Sequence, residues 1–141
     1  MSITIRIEGE ARLRARLRRG EAQAIAGVRR GLLAAALIVR NRAAELVAKG
    51  PKTGRIYRRG AVTHRASAPD QAPASDTGNL LRSIGHEAQG LAAIIFAAAA
   101  YARALEFGTR TIAPRPFLRR ALAERAQEAR DAVAKALEVF R

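Results

Sequence analysis

The chain begins with a strict alternation of apolar and polar residues. Ile3, Ile5 and Ile7 are separated by single polar residues, and Gly9 follows. Because successive side chains of a strand point to opposite faces, a period of two with β-branched residues predicts a half-buried strand. The glycine ends the pattern, so the first predicted element is a strand over residues 3–8.

From residue 10 to about residue 49 the period becomes that of a helix. Apolar side chains recur at steps of three or four, which places them on one helical face: Ile25, Val28, Leu32, Ala36, Val39, Ala43 and Leu46. Gly20 is the predicted break or kink, since glycine costs a helix about 1 kcal/mol relative to alanine. Gly27 and Gly31 lie four apart and could let another backbone approach closely. Gly50 and Pro51 end the helix.

Residues 50–77 lack any hydrophobic period. Small, hydroxyl and basic residues dominate, and Ile56, Tyr57 and Val62 are the only sizeable apolar residues. A connection of this length is uncommon in a compact domain and is usually functional or disordered. Its charge and low hydrophobicity predict a mobile loop in the free monomer, which orders against a partner or a neighbouring subunit.

A short helix and a hairpin follow this segment. The helix covers residues 78–83, with Asp76 or Thr77 as its capping residue. Two apolar runs at 84–89 and 91–98 flank a glycine and predict an antiparallel hairpin. The second run is rich in alanine and would also suit a helix, but its Ile-Ile-Phe centre favours a strand.

Two further helices complete the predicted elements. The first covers residues 99–107 and ends at Gly108. The second begins near Pro114 and Pro116, because proline is tolerated in the first turn of a helix. It continues to the C-terminus as an amphipathic helix whose apolar face contains Leu118, Leu122, Ala129, Val133, Leu137 and Phe140.

These elements predict an α+β fold in which a long N-terminal helix and a C-terminal helix pack on a small antiparallel sheet, with a long mobile basic loop. The 141 residues suit a single domain over residues 1–141. Aromatic residues make up only 4% of the chain, which favours close helix packing over a large ligand pocket. The absence of cysteine excludes disulfides, thiol catalysis and cysteine-based zinc sites.

The net charge of +14 is unevenly distributed. Residues 1–65 contain 16 basic and 4 acidic side chains, whereas residues 66–141 contain 10 and 8. A basic N-terminal half attracts polyanions such as DNA, RNA, anionic lipid or an acidic protein surface, although a solvated basic face explains the charge equally well. The N-terminus lacks a signal-peptide pattern, and the apolar run at 91–100 is too short to span a bilayer, so we expect a soluble protein without membrane contact.

The residues do not form a recognisable catalytic or metal-binding pattern. His64 and His86 have no second ligand at metal-binding spacing, so no metal or other cofactor is predicted. No serine lies in a nucleophile-elbow context. The sequence from Gly50 to Gly54 resembles a phosphate loop only superficially, since it follows a helix and contains proline. We therefore predict that the protein is not an enzyme.

The basic residues of the 50–77 segment are the candidate contacts to DNA or to a partner. Tyr57 and His64 lie among them, and arginine with an occasional aromatic residue suits phosphate contacts. With one tyrosine, a mobile solvated loop is an equally good interpretation. The candidate residues are Lys52, Arg55, Arg58, Arg59 and Arg65.

The order of three segments in the second half resembles the neck or tail-completion family of lambdoid siphophages, also described as head–tail joining or minor tail proteins. The first reads Ala-Pro-Ala-Ser-Asp-Thr-Gly-Asn-Leu-Leu-Arg-Ser-Ile over residues 72–84. The second is Tyr-Ala-Arg-Ala-Leu-Glu-Phe-Gly-Thr at 101–109, and the third is Pro-Phe-Leu-Arg-Arg-Ala-Leu at 116–122. Arg120 stands where the family usually has a second proline.

The resemblance implies a structural virion protein without catalytic residues. Such a subunit joins a homo-oligomeric ring, a hexamer or dodecamer, at the head–tail junction of a tailed phage or of a phage-like particle such as a gene transfer agent. It contacts head-connector and tail-tube proteins, encloses passing DNA, and assembles in the bacterial cytoplasm. The candidate subunit-interface residues are Tyr101, Glu106, Phe107, Arg110 and Phe117.

Two of these candidates have simpler interpretations. Glu106 lies between apolar neighbours and could form a salt bridge across an interface, but an intrachain pair or a solvated helix end is favoured because exposed pairs contribute only about 0–1 kcal/mol. Phe117 could equally anchor the last helix in the core. The alternative function for the whole chain is a stand-alone nucleic-acid-binding protein that uses its basic N-terminal helix.

Overall fold

The structure is a computed structural model that describes residues 1–6, 9–17 and 22–138. The chain contains helices and a small antiparallel sheet, which confirms the predicted α+β class. The elements along the chain are β1 Ser2–Arg6, α1 Glu10–Leu17, α2 Ala22–Ala48, β2 Ile56–Arg59, β3 Val62–Arg65, α3 Asn79–Ser83, β4 Ile84–Gln89, β5 Ala92–Ala97, α4 Ala102–Phe107 and α5 Leu118–Glu138.

β5 is the central strand of a three-stranded antiparallel sheet with the order β1-β5-β4. Its side chains alternate between the two faces, and Ala93, Ile95 and Ala97 are buried. Ile5 of β1 pairs with Ala93, and Ile3 pairs with Ile95. The isoleucines at the start of the chain therefore pack against the same core as the central strand.

α2 covers this sheet and also packs along α5. Its apolar stripe is buried as predicted at Val28, Leu32 and Val39, each at most 1% exposed. The exception is Ile25, which is 39% exposed at the start of the stripe. None of the described helices is both long enough and apolar enough to cross a membrane.

Gly31 sets the distance between α2 and α5. A Cβ atom at this position would lie 2.6 Å from the Cβ of Ala136 and 3.3 Å from the Cα of Val133. Real carbon atoms do not approach so closely, so a side chain here would push the helices apart. The prediction that a glycine of α2 permits close approach of another backbone is confirmed at Gly31.

The predicted long loop at residues 50–77 contains secondary structure. β2 and β3 form an antiparallel hairpin. It is extended by a hydrogen bond from the N–H of Gly54 to the carbonyl of Ala66 and by one from the N–H of Ala66 to the carbonyl of Arg55. After the hairpin the chain returns to the body, where Ala72 is buried and Ser75 donates its N–H to the carbonyl of Val47. The prediction of a long loop missed this hairpin, because cross-strand pairing and packing of small residues replace a hydrophobic period.

The boundaries predicted for the elements after this hairpin agree with those of the structure to within a few residues. The predicted strand at 84–89 coincides with β4, and the helix predicted at 99–107 begins at Ala102. Ile7, Glu8, Gly20 and Phe140 lie outside the described residues.

A surface cluster of ion pairs joins α2 to α5. Arg42 donates to Glu45 at 2.7 Å and to Glu124 of α5 at 2.6 Å. Lys49 donates to Glu45 at 2.9 Å, and Arg120 donates to Glu124 at 2.9 Å. The hydrogen bonds from Lys49 and then Arg42 lower the pKa of Glu45 to about 2. Arg120 and Arg42 likewise lower the pKa of Glu124.

We expect Glu45 to stabilise the fold in a pH-dependent way. Its folded pKa of about 2 lies below the ordinary value of 4.5, so its contribution is fully present above about pH 4.5 and is lost as the pH falls through about 2. Carbon NMR of the carboxyl group should give a midpoint near 2. Lys49→Gln should raise this midpoint more than Arg42→Gln; unchanged midpoints in both variants would contradict the assignment.

Candidate partner-binding surface

The hairpin of β2 and β3 has two different faces. Tyr57 lies opposite His64, and Arg59 lies opposite Val62; directly opposed residues of an antiparallel pair share a face. The rings of Tyr57 and His64 stack with their centroids 5.8 Å apart. We call this the inner face, because its polar side chains contact Asp76.

Asp76 ties the inner face to the segment before α3. One carboxylate oxygen, Oδ1, lies 2.7 Å from Nδ1 of His64. The other, Oδ2, accepts from Nη1 of Arg59 at 3.1 Å and from the hydroxyl of Tyr57 at 3.3 Å. Burial, followed by the negative charge of Asp76, raises the pKa of the Tyr57 hydroxyl, so this group remains a donor at neutral pH.

This role of Asp76 differs from the predicted helix cap. The N-cap of α3 is Gly78, which has no side chain that could cap the helix by a hydrogen bond. Gly78 adopts a positive φ of 74°, a conformation that glycine reaches without strain. Thr77, the other predicted capping residue, accepts the N–H of Asn79 with its hydroxyl at 3.4 Å, whereas the carboxylate of Asp76 is directed to the hairpin.

All five predicted contact residues of the basic segment are exposed. Arg59 is paired with Asp76 on the inner face. Arg58 and Arg65 belong to the opposite, outer face with Ile56, which is 60% exposed. Within the described part of the chain, no carboxylate lies within ion-pair distance of the other four candidates, which are Lys52, Arg55, Arg58 and Arg65.

A cleft of about 330 Å³ separates the inner face from the start of α3 and from α4. Lys52, Arg59 and Arg65 contribute to one wall, and Tyr101 and Leu105 contribute to another. The guanidinium of Arg115 also lines the cleft. Neither this cleft nor Arg115 was predicted, because the residues that form it are distant in sequence and share no periodic pattern.

Glu106 is a buried carboxylate whose two oxygens both accept hydrogen bonds. It is fully buried, and its carboxylate accepts the backbone N–H groups of Phe117, Leu118 and Arg119 at 2.9, 3.0 and 2.8 Å. The side chain of Arg119 donates to the same carboxylate at 3.2 Å. These N–H groups belong to the first turn of α5 and have no partner within the helix. Glu106 therefore caps α5 from α4.

This geometry corrects two of the five interface candidates. Glu106 is 0% exposed, and Phe117 is 0% exposed in the hydrophobic core. Neither side chain presents a surface to a neighbouring subunit. The simpler interpretations are closer to the structure: Glu106 pairs within the chain, with Arg119, and Phe117 anchors α5.

The other three interface candidates lie on the surface. Tyr101 is 44% exposed, Phe107 is 53% exposed, and Arg110 is exposed in the turn after α4. The guanidinium of Arg119 lies 4.9 Å from the centre of the Phe107 ring, within the range of a cation–π contact. The hydroxyl of Tyr101 accepts from the side-chain amide of Asn79 at 3.4 Å. Two exposed aromatic rings thus flank α4.

The described residues include no group of three or more histidine, cysteine, aspartate or glutamate side chains that could hold a metal ion. Comparisons with protein-family models, with curated proteins and with solved structures gave no match to this chain.

Proposed function

We propose that this chain is a structural subunit of the head–tail junction of a tailed phage or phage-like particle. The observation that carries the proposal is the meeting of the three segments on which the family resemblance rests. Asn79 of the first contacts Tyr101 of the second. Glu106 of the second caps the helix that begins in the third, through Phe117 and its neighbours. A shared structural unit explains why these motifs occur together and in this order.

The hairpin supplies a basic surface suited to such a junction. Residues 50–66 contain five basic side chains and no acidic one. The outer face carries Arg58 and Arg65 without carboxylate partners among the described residues. In a ring around passing DNA, this face meets phosphates or the acidic surface of a connector or tail-tube protein.

The exposed aromatic residues beside α4 suit contact between subunits. Tyr and Phe are enriched at protein–protein interfaces, where their rings bury large apolar areas. Tyr101 and Phe107 are therefore the proposed contacts of the homo-oligomeric ring, with Arg110 at its edge. The structural role needs no catalytic group.

We expect the loss of the hairpin arginines to impair joining. A variant with Arg55, Arg58, Arg59 and Arg65 replaced by serine should give a large fall in infectious or transfer titre, with heads and tails that remain separate or heads that lose DNA. The physical reason is the loss of four positive charges from the hairpin and the residue that precedes it. Titre and electron micrographs of the particles provide the measurement.

A matched variant distinguishes the effect of the hairpin arginines from the effect of the overall positive charge of the protein. It replaces four exposed arginines on helices by serine: Arg12, Arg29, Arg30 and Arg130. The proposal predicts a much smaller fall in titre for this variant. An unchanged titre in the hairpin variant would contradict the role of the hairpin. Salt-dependent DNA binding by the free protein that is lost only in the helical variant would favour the nucleic-acid-binding alternative.

A further inference from the structure

Arg115 has an incompletely satisfied guanidinium. Its Nε atom is buried, and no acceptor in the described part of the chain lies within hydrogen-bond distance. Its side chain also forms no ion pair with the described carboxylates. A buried donor without an acceptor costs about 1–3 kcal/mol, and more when it is charged. Because the Nε atom has no accessible surface, a ligand in the cleft meets the guanidinium at its Nη atoms, which also have no hydrogen-bond partner among the described residues.

The backbone holds Arg115 in a fixed position. Pro114 and Pro116 flank it, which restricts the backbone on both sides. Its N–H donates to the carbonyl of Leu105 at 2.6 Å, and the carbonyl of Pro114 accepts from the N–H of Asp70 at 2.9 Å. Because the backbone is already ordered, binding through this arginine loses little conformational entropy.

The surroundings of Arg115 favour a negatively charged group. Lys52 and Arg59 line the same cleft; Arg65 also borders it, although the strand register places its side chain on the outer face. The single acidic residue of its lining, Asp76, is already engaged by Arg59 and His64. The cleft therefore has an excess of positive charge.

The shape of the cleft favours a carboxylate side chain over a DNA phosphate. Its volume of about 330 Å³ is at the small end of ligand sites, whereas the phosphates of a duplex lie on a broad convex surface. Leu80, Tyr101 and Leu105 supply apolar wall against which the methylene groups of a Glu side chain or an adjacent apolar residue would pack. The planar guanidinium matches the two oxygens of a carboxylate.

We propose that the cleft between the hairpin and α4 binds a carboxylate side chain of a neighbouring protein subunit, with Arg115 as its anchor. The proposal rests on the proposed function only for the source of the carboxylate, since the site itself is a property of the single chain. It gives the particle a docking point that includes Tyr101 in its wall and is separate from the exposed ring of Phe107.

NMR of the Arg115 Nε–Hε group tests this site in the isolated full chain. The probe is the capped peptide acetyl-Leu-Glu-Leu-amide, with acetyl-Leu-Gln-Leu-amide and a short duplex DNA as comparisons. The Glu peptide should move this resonance downfield in a saturable way, with a dissociation constant on the order of 1 mM. The Gln peptide should leave it unchanged. A shift with DNA alone would overturn the proposal in favour of a phosphate site, and no shift with any probe would overturn it altogether.

Three variants define the signal and its cause. Arg115→Lys removes the Nε–Hε resonance, keeps the charge, and should weaken binding of the Glu peptide, measured by backbone amide shifts around the cleft. Arg115→Gln should abolish binding of the Glu peptide. Arg130 is an exposed arginine outside the cleft, and the Arg130→Gln variant should bind the Glu peptide as the parent protein does. If Arg115→Gln fails to fold, the parent titration and Arg115→Lys still decide the question. Failure here would leave the head–tail assignment intact, because that is tested on the particle.

Discussion

Replacing Glu106 by alanine is expected to lower the free energy of unfolding by about 3–5 kcal/mol, because each buried backbone donor that loses its acceptor costs about 1–3 kcal/mol. The change leaves the N–H groups of Phe117 and Leu118, which are fully buried residues, without an acceptor. It also removes the contact by which α4 fixes the start of α5. Thermal or urea unfolding measures the effect, and in a chain of this size 1 kcal/mol shifts the Tm by about 4 °C.

Two further variants separate the backbone cap from the ion pair. Glu106→Gln retains the shape and one acceptor oxygen but turns an amide NH₂ toward donors, so a loss of about 1–3 kcal/mol is expected. Arg119→Gln should cost less than about 1 kcal/mol, because the Arg119 side chain is 54% exposed. If Arg119→Gln were as destabilising as Glu106→Ala, the ion pair rather than the backbone cap would stabilise the contact between α4 and the start of α5.

Phe117→Ala is expected to cost about 3–5 kcal/mol, through lost burial and the cavity that remains. Phe117 is the largest fully buried side chain among the residues that the structure describes, and it enters the core at the point where α5 begins. Phe107→Ala is the matched control, because the same atoms are removed from a ring that is 53% exposed. The free energy of unfolding of this variant should lie within about 1 kcal/mol of that of the parent.

The same pair separates folding from assembly. If Phe107 belongs to the subunit interface, Phe107→Ala should fold normally yet fail to form rings, as seen by light scattering or by particle assembly. Phe117→Ala should instead lower the free energy of unfolding of the monomer itself, before any effect on assembly. Normal ring formation by Phe107→Ala would remove this residue from the proposed interface, and a stable Phe117→Ala monomer would contradict the packing of α5.

Local patterns predicted most of the regular elements. The alternation of isoleucines gave β1, and the long stripe from Val28 to Leu46 gave α2, since burial of one face imposes a period on the sequence. The pairing order β1-β5-β4 was not predictable in the same way. It depends on which strands meet across the fold, and no single segment encodes that choice.

The sequence predicted less of the candidate site than of the helices and strands. The role of Glu106 depends on a helix that begins twelve residues later, and the role of Asp76 depends on side chains of the preceding hairpin. Both are long-range polar contacts, for which a sequence shows the residue type but no partner. The sequence shows the two prolines on either side of Arg115. It does not show that the Nε atom of Arg115 is buried, because the residues around that atom come from distant parts of the chain.

Electron cryomicroscopy of the native tailed particle tests the central claim most directly. The account predicts a ring of density at the head–tail junction that fits this chain, with the hairpin of β2 and β3 ordered and its outer face directed to DNA or to an acidic neighbour. In the same map, α4 should lie at the contact between adjacent subunits. Junction density explained entirely by other proteins would contradict the assignment.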